Sequence, residues 1–127
     1  MPLILLLSLL GLSPTPALAE QIGPTTVEFS TTTMPLIIGA YAHRYGVDSH
    51  VMEKVIACES QGKPWVRGDK GRSRGLVQIS DIYHPEVSDA QAFDPFFSID
   101  FLASYLAQGK GSQWTCYRMY QRGALGP

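Results

Sequence analysis

Val51-Met52-Glu53-Lys54-Val55-Ile56-Ala57-Cys58-Glu59-Ser60 is the stretch on which the reading of this chain turns. Val51, Met52, Val55, Ile56 and Glu59 stand at i, i+1, i+4, i+5 and i+8, the spacing of one helical face. Asp48 or Ser49 can cap the free amides at its start, and Gly62 and Pro64 end it. The stripe is apolar until its last member, which is a carboxylic acid. Cys58 lies at the edge of the same stripe.

Three effects act on a carboxyl placed there. Burial disfavours the charged form. The negative end of the helix dipole acts in the same direction. The positions one turn back are Val55 and Ile56, so no basic partner on the stripe opposes them. A carboxyl held protonated near neutral pH can protonate a departing sugar oxygen. The plain alternative is a glutamate that reaches water from a helix end or pairs with a nearby arginine.

Outward from this helix the pattern stays mostly helical. Upstream, Pro35 suits a first helical position, and Leu36, Ile37, Ala40 and Tyr41 recur at helical spacing before Gly46. Downstream, residues 65–75 carry Gly68, Gly71 and Gly75, which is turn chemistry compatible with a short hairpin. Leu76-Val77-Gln78-Ile79 can be a strand or a helix start, and residues 80–93 read as irregular. Asp94-Pro95 opens another helix with Ile99, Leu102, Ala103 and Leu106 inward, ending near Gly109. Ser112 is placed to cap a short last helix carrying Trp114, Cys116 and Tyr120. The expected class is mainly α (α+β): one small domain of several helices around a cleft, with a minor β-hairpin.

The ends and the composition bound the setting. The chain has 127 residues, enough for one domain. Residues 3–12 are apolar apart from Ser8, and Ala17-Leu18-Ala19 is a small-x-small cleavage pattern. Residues 1–19 are therefore read as a signal peptide cleaved after Ala19, although no Lys or Arg precedes the apolar run, which leaves an uncleaved tether as the alternative. Residues 20–33, rich in Thr and Ser, are read as a flexible linker, and residues 34–127 as the domain. The expected location is secreted or periplasmic. There Cys58 and Cys116 would pair, closing a loop of about 60 residues worth on the order of 4 kcal/mol; two buried free thiols are the alternative. Formal net charge is -1, which points away from nucleic acid. Lys63, Arg67, Lys70, Arg72 and Arg74 form a local basic cluster, read either as a patch or as a solvated loop. His43, His50 and His84 lack metal-ligand spacing and there is no Cys-x-x-Cys, so neither a metal nor a cofactor is expected.

Ala57-Cys58-Glu59-Ser60 followed after a Gly-rich turn by Gly75-Leu76-Val77-Gln78-Ile79 resembles the signature of the lysozyme-like lytic transglycosylases. Tyr45-Gly46-Val47-Asp48 is similar to that family's lead-in, and Phe93-Asp94-Pro95-Phe96-Phe97-Ser98-Ile99 to its Asp-Pro helix start. Val77 stands where Met is common and Ser98 where Asn is. The order and spacing of these words, over roughly residues 36–108, carry the resemblance. Cys58-Glu59-Ser60 with Trp114-Thr115-Cys116 also resembles the resuscitation-promoting factors, whose domains carry a disulfide in comparable places.

The resemblance implies a small lysozyme-like domain that cuts peptidoglycan glycan strands between N-acetylmuramic acid and N-acetylglucosamine. Glu59 would act as general acid and then general base, with 1,6-anhydro products. A muramidase hydrolysing the same bond would need a positioned water and usually a second carboxylate, for which Asp69 and Asp81 are the candidates. A non-catalytic glycan-binding module on the same fold is a further alternative. Ser73, Gln78 and Tyr83 are the expected substrate-binding residues, with Tyr105 and Trp114 as other aromatic faces. The family's Tyr-containing C-terminal stretch is absent; Tyr117 and Tyr120 are the residues nearest to replacing it. The spacing from Glu59 to Gln78 is about one residue longer than in the family. Ser60 is read as finishing its helix. A monomer is expected, and relatives of this kind serve secretion or conjugation machinery in the cell envelope.

Overall fold

The computed structural model describes residues 26–127. The expected signal peptide, and the first part of the expected linker, lie outside these residues. The fold is mainly helical with one small antiparallel sheet. Helix α1 spans Met34–Tyr45 and α2 spans Ser49–Ser60. Strands β1 (Arg67–Gly68), β2 (Ser73–Arg74) and β3 (Ile79–Ser80) follow. Helix α3 (Asp89–Phe93), α4 (Pro95–Ala107) and α5 (Thr115–Gln121) complete the chain. Among the described residues no helix is long and apolar enough to cross a membrane.

Helix α2 forms as its pattern requires. The Asp48 carboxylate accepts from the His50 amide at 2.8 Å, and Met52, Val55 and Ile56 are buried. The left-handed residue at its end is Gln61 (φ 56°), one position before Gly62. The Ser60 hydroxyl donates to the Ile56 carbonyl and accepts from the Gly62 amide, each at 3.2 Å, so it finishes the helix. In α1 the inward face is Ile37, Ile38 and Ala42, while Leu36 is 73% exposed. This corrects the stripe expected there by about one residue. The run Leu36-Ile37-Ile38 permits two registers, and the one that aligns Ile38 with Ala42 and Tyr45 packs against both α2 and α4.

The core joins α1, α2 and α4 to the turn between β2 and β3, whose Leu76 and Val77 are fully buried. Residues 26–33 lead into it: Phe29 packs against this core, and the Thr33 hydroxyl donates to the Glu28 carbonyl at 2.6 Å.

Two expectations are corrected downstream. Residues 80–93 are not irregular throughout, because Ser88 and Gln91 form a reciprocal capping box that starts α3. Ser112 does not cap the last helix. It lies in the 3-10 turn Gly111–Gln113, and Trp114 occupies the cap position with extended backbone. That backbone lets the buried Trp114 indole donate to the Val77 carbonyl at 2.8 Å.

The hairpin is a three-stranded sheet in the order β1-β2-β3, with Arg67 opposite Arg74 and Arg74 opposite Ile79. Gly75 must be glycine. Its φ is +79°, and a Cβ would stand 2.0 Å from the Ala92 carbonyl oxygen. The three arginines of the basic cluster are each paired with a carboxylate. Arg67 and Arg74 both meet Asp89, and Arg72 lies 2.8 Å from Asp81. Arg74 is 2% exposed, and its guanidinium donates to the carbonyls of Ile79 (3.2 Å) and Val87 (2.9 Å). Asp89 is itself exposed, so the ion pair adds little. The buried carbonyls matter more, since each left unpartnered costs about 1–3 kcal/mol. Arg74→Met keeps the bulk and removes the donors. It is expected to destabilise the domain by about 2–3 kcal/mol in denaturant melts, and an unchanged midpoint would show that the carbonyls find other partners.

Candidate active site

A cleft of about 830 Å³ opens between the sheet with its following loop and the helical wall made by α2 and α5. Glu59 lines it from the end of α2. The sheet side contributes Asp69, Ser73, Gln78 and Tyr83. The structure therefore brings Glu59 together with Ser73, Gln78 and Tyr83 and with Asp69. Asp81 is instead engaged by Arg72.

Glu59 is half-buried, and its Oε1 accepts a hydrogen bond from the Cys116 amide at 3.3 Å. Burial pushes the carboxyl pKa above its ordinary value, and the negative charge of Asp69 acts in the same direction. The Cys116 amide and the positive charge of Arg118 oppose the rise without cancelling it. The Cys58–Cys116 disulfide, with a Cα–Cα distance of 5.9 Å, fixes this arrangement. It clamps α5 to α2 at the residue beside Glu59, so the amide that touches the carboxyl belongs to the cross-link itself.

Asp69 sits on the opposite side with a left-handed backbone (φ 49°), and Lys70 follows with φ 58°. Such conformations cost a non-glycine residue about 1 kcal/mol or more and persist where the surroundings hold them. Here the Ser73 hydroxyl donates to Asp69 Oδ2 at 2.5 Å. Ser73 is thus the orienting partner of a carboxylate, rather than a free hydroxyl at the cleft surface.

Gln78 lines the cleft with its amide nitrogen already engaged. Its amide nitrogen donates to the carbonyls of Val66 (3.1 Å) and Gly75 (2.9 Å). Its Oε1 faces Gly68, where a Cβ would stand only 2.4 Å away. Gln78 shapes the cleft by tying Val66, just before β1, to Gly75 in the turn before β3, with both amide hydrogens consumed by backbone.

Tyr83 is 81% exposed and Ile82 is 58% exposed, side by side on the cleft. They give the sheet side an apolar face. Trp114 borders the cleft but is nearly buried, and Tyr105 does not reach it; both pack in an aromatic group with Phe97, Phe101 and His84. Tyr117 packs onto Gly111, and Tyr120 lies edge-on to His50; neither lines the cleft.

Ile82, His84, Thr115 and Arg118 line the cleft although the sequence reading gave none of them a role there. One signal for two of them was available. If Cys116 bonds to Cys58, then Thr115 and Arg118, flanking it on a helix, arrive beside Glu59. Comparisons with family models, with curated proteins and with solved structures return no match for this chain.

Proposed function

We propose that this chain is a peptidoglycan lytic transglycosylase that cleaves the β-1,4 bond between N-acetylmuramic acid and N-acetylglucosamine. The observation that carries the reading is Glu59: a half-buried carboxyl with a raised pKa, fixed by the Cys116 amide, in the wall of a glycan-sized cleft. Protonated Glu59 gives its proton to the glycosidic oxygen as the bond to the muramic C1 breaks. The muramic acetamido oxygen stabilises the cation that develops. The sugar's own C6 hydroxyl then attacks C1, and the Glu59 carboxylate takes its proton. The acid is regenerated and a 1,6-anhydro end is left.

Tyr83 and Ile82 supply the face on which a sugar ring would lie. Tyr83→Ala is expected to raise KM about tenfold, the worth of one good aromatic contact. Thermal stability should not move, because the ring is exposed. A change in melting temperature without a change in KM would assign Tyr83 to structure instead.

Asp69 favours a second reading, a muramidase. It is a carboxylate in the same cleft as Glu59, oriented by Ser73, and could position water at C1. Mass spectrometry of the products from purified peptidoglycan decides between the two, because anhydro ends lack one water relative to hydrolysed ends. Absence of any cleavage, under conditions where the protein is folded and oxidised, would leave glycan binding without chemistry. The disulfide accords with action in an exported, oxidising compartment.

A further inference from the structure

Four arginines between Arg67 and Arg118 face the sheet or the cleft, and they differ in their company. Arg67, Arg72 and Arg74 each have a carboxylate within ion-pairing distance. Arg118 has none among the described residues, although it is exposed, lines the cleft and shares the α2–α5 wall with Glu59. Nor does it hang free. One terminal nitrogen donates to the Ser112 carbonyl and the other to the Thr115 hydroxyl at 3.0 Å. A guanidinium has five N–H donors. Two hold the group in place, and the remainder are left for a partner. A pre-positioned guanidinium at a cleft wall, with no carboxylate at ion-pairing distance among the described residues, is suited to a carboxylate.

We propose that Arg118 makes the cleft selective for a glycan whose sugar next to the scissile oxygen carries a carboxylate. The proposal rests on reading the cleft as a glycan-cleaving site. It fits the chemistry of muramic acid, whose lactyl ether ends in a carboxyl. In peptide-free strands that carboxyl is a free anion. In peptide-bearing strands it is an amide, and the anion comes from the stem peptide. A polymer of N-acetylglucosamine has the same backbone linkage and acetamido groups but neither anion. The anion would lie on the helical wall beside Glu59, away from Asp69 on the sheet side.

The test uses the Glu59→Gln protein, so that binding is measured without cleavage, with and without Arg118→Gln. The ligands are a peptide-free N-acetylmuramic acid–N-acetylglucosamine oligosaccharide, its peptide-bearing form, and a chitooligosaccharide of equal length. Arg118→Gln is expected to weaken binding of an acidic ligand about tenfold, the scale of one charge-assisted contact, and to leave the neutral ligand unchanged. Arg118→Lys should recover part of the loss. A loss on the peptide-free ligand assigns the lactyl carboxylate; a loss on the peptide-bearing form alone assigns the stem. Equal loss on acidic and neutral ligands would reduce Arg118 to a brace for the Ser112 turn and overturn the proposal. So would no loss on any ligand, or no binding at all. The catalytic reading is judged separately: if wild type and Glu59→Gln lyse peptidoglycan equally, that reading fails even where charge selectivity persists.

Discussion

Glu59→Gln is expected to slow glycan cleavage by about a hundredfold to ten-thousandfold, the usual contribution of a positioned general acid and base. Glutamine has the same shape and can still accept from the Cys116 amide, so the cleft should keep its form. What disappears is the proton. The stability consequence runs opposite to that of an ordinary core substitution. The folded-state pKa of Glu59 is raised above its ordinary value of 4.5, chiefly by burial. Stability linked to the neutral carboxyl is therefore fully present below that value and is lost as pH rises through the folded-state pKa. Above that ordinary value the wild type bears the linkage cost of its raised pKa, and glutamine, which does not titrate, avoids it. The variant should melt no lower than wild type near neutral pH, with the difference closing below about pH 4. Wild-type cleavage should fall on the alkaline side as Glu59 loses its proton. A Glu59→Gln protein that cleaves at the wild-type rate would remove Glu59 from the chemistry, and one that melts well below wild type at neutral pH would overturn the raised pKa.

The helical frame was legible because its signals are local. Asp48, Asp94 and Pro95 stand where caps and first turns need them, and the α2 and α4 stripes repeat at helical spacing. The register of α1 was less legible, because three adjacent apolar residues leave two faces equally apolar until a partner helix selects one. Helix α3 carried a readable capping box in Ser88 and Gln91 but is only five residues long, with no second turn to establish a period.

The site was legible in its members and less so in their roles. Glu59, Asp69, Ser73, Gln78 and Tyr83 do share one cleft. Yet a sequence position does not reveal where side-chain donors go. Gln78 spends its amide on Val66 and Gly75, and Ser73 spends its hydroxyl on Asp69; both partners are set by strand pairing and a left-handed turn. Arg118 was hidden for a different reason. It is ordinary as a helix residue and gains meaning only when Cys116 is carried to Cys58 across 58 positions of chain.

That long-range closure bears on stability and chemistry together. Replacing Cys58 and Cys116 by alanine is expected to lower stability by about 4 kcal/mol, the entropy of an unfolded loop of this length. For a domain of about 100 residues this corresponds to a fall of roughly 15–30 °C in melting temperature. Alanine is the right replacement because Cys116 is buried, and serine would add an unpartnered hydroxyl there. Activity should suffer even at temperatures where the variant remains folded. The cross-link holds α5 against α2, and through it the Cys116 amide holds Glu59. That amide opposes the rise in the Glu59 pKa. A looser α5 releases that amide and admits water beside Glu59, whose burial is the larger influence, so the alkaline limb of the pH–rate profile should shift and its plateau fall. Melting curves and pH–rate profiles of the oxidised protein and the double-alanine variant test both halves. If melting falls but the pH–rate profile keeps its shape and height, the disulfide serves the fold alone and other contacts between α2 and α5 hold Glu59.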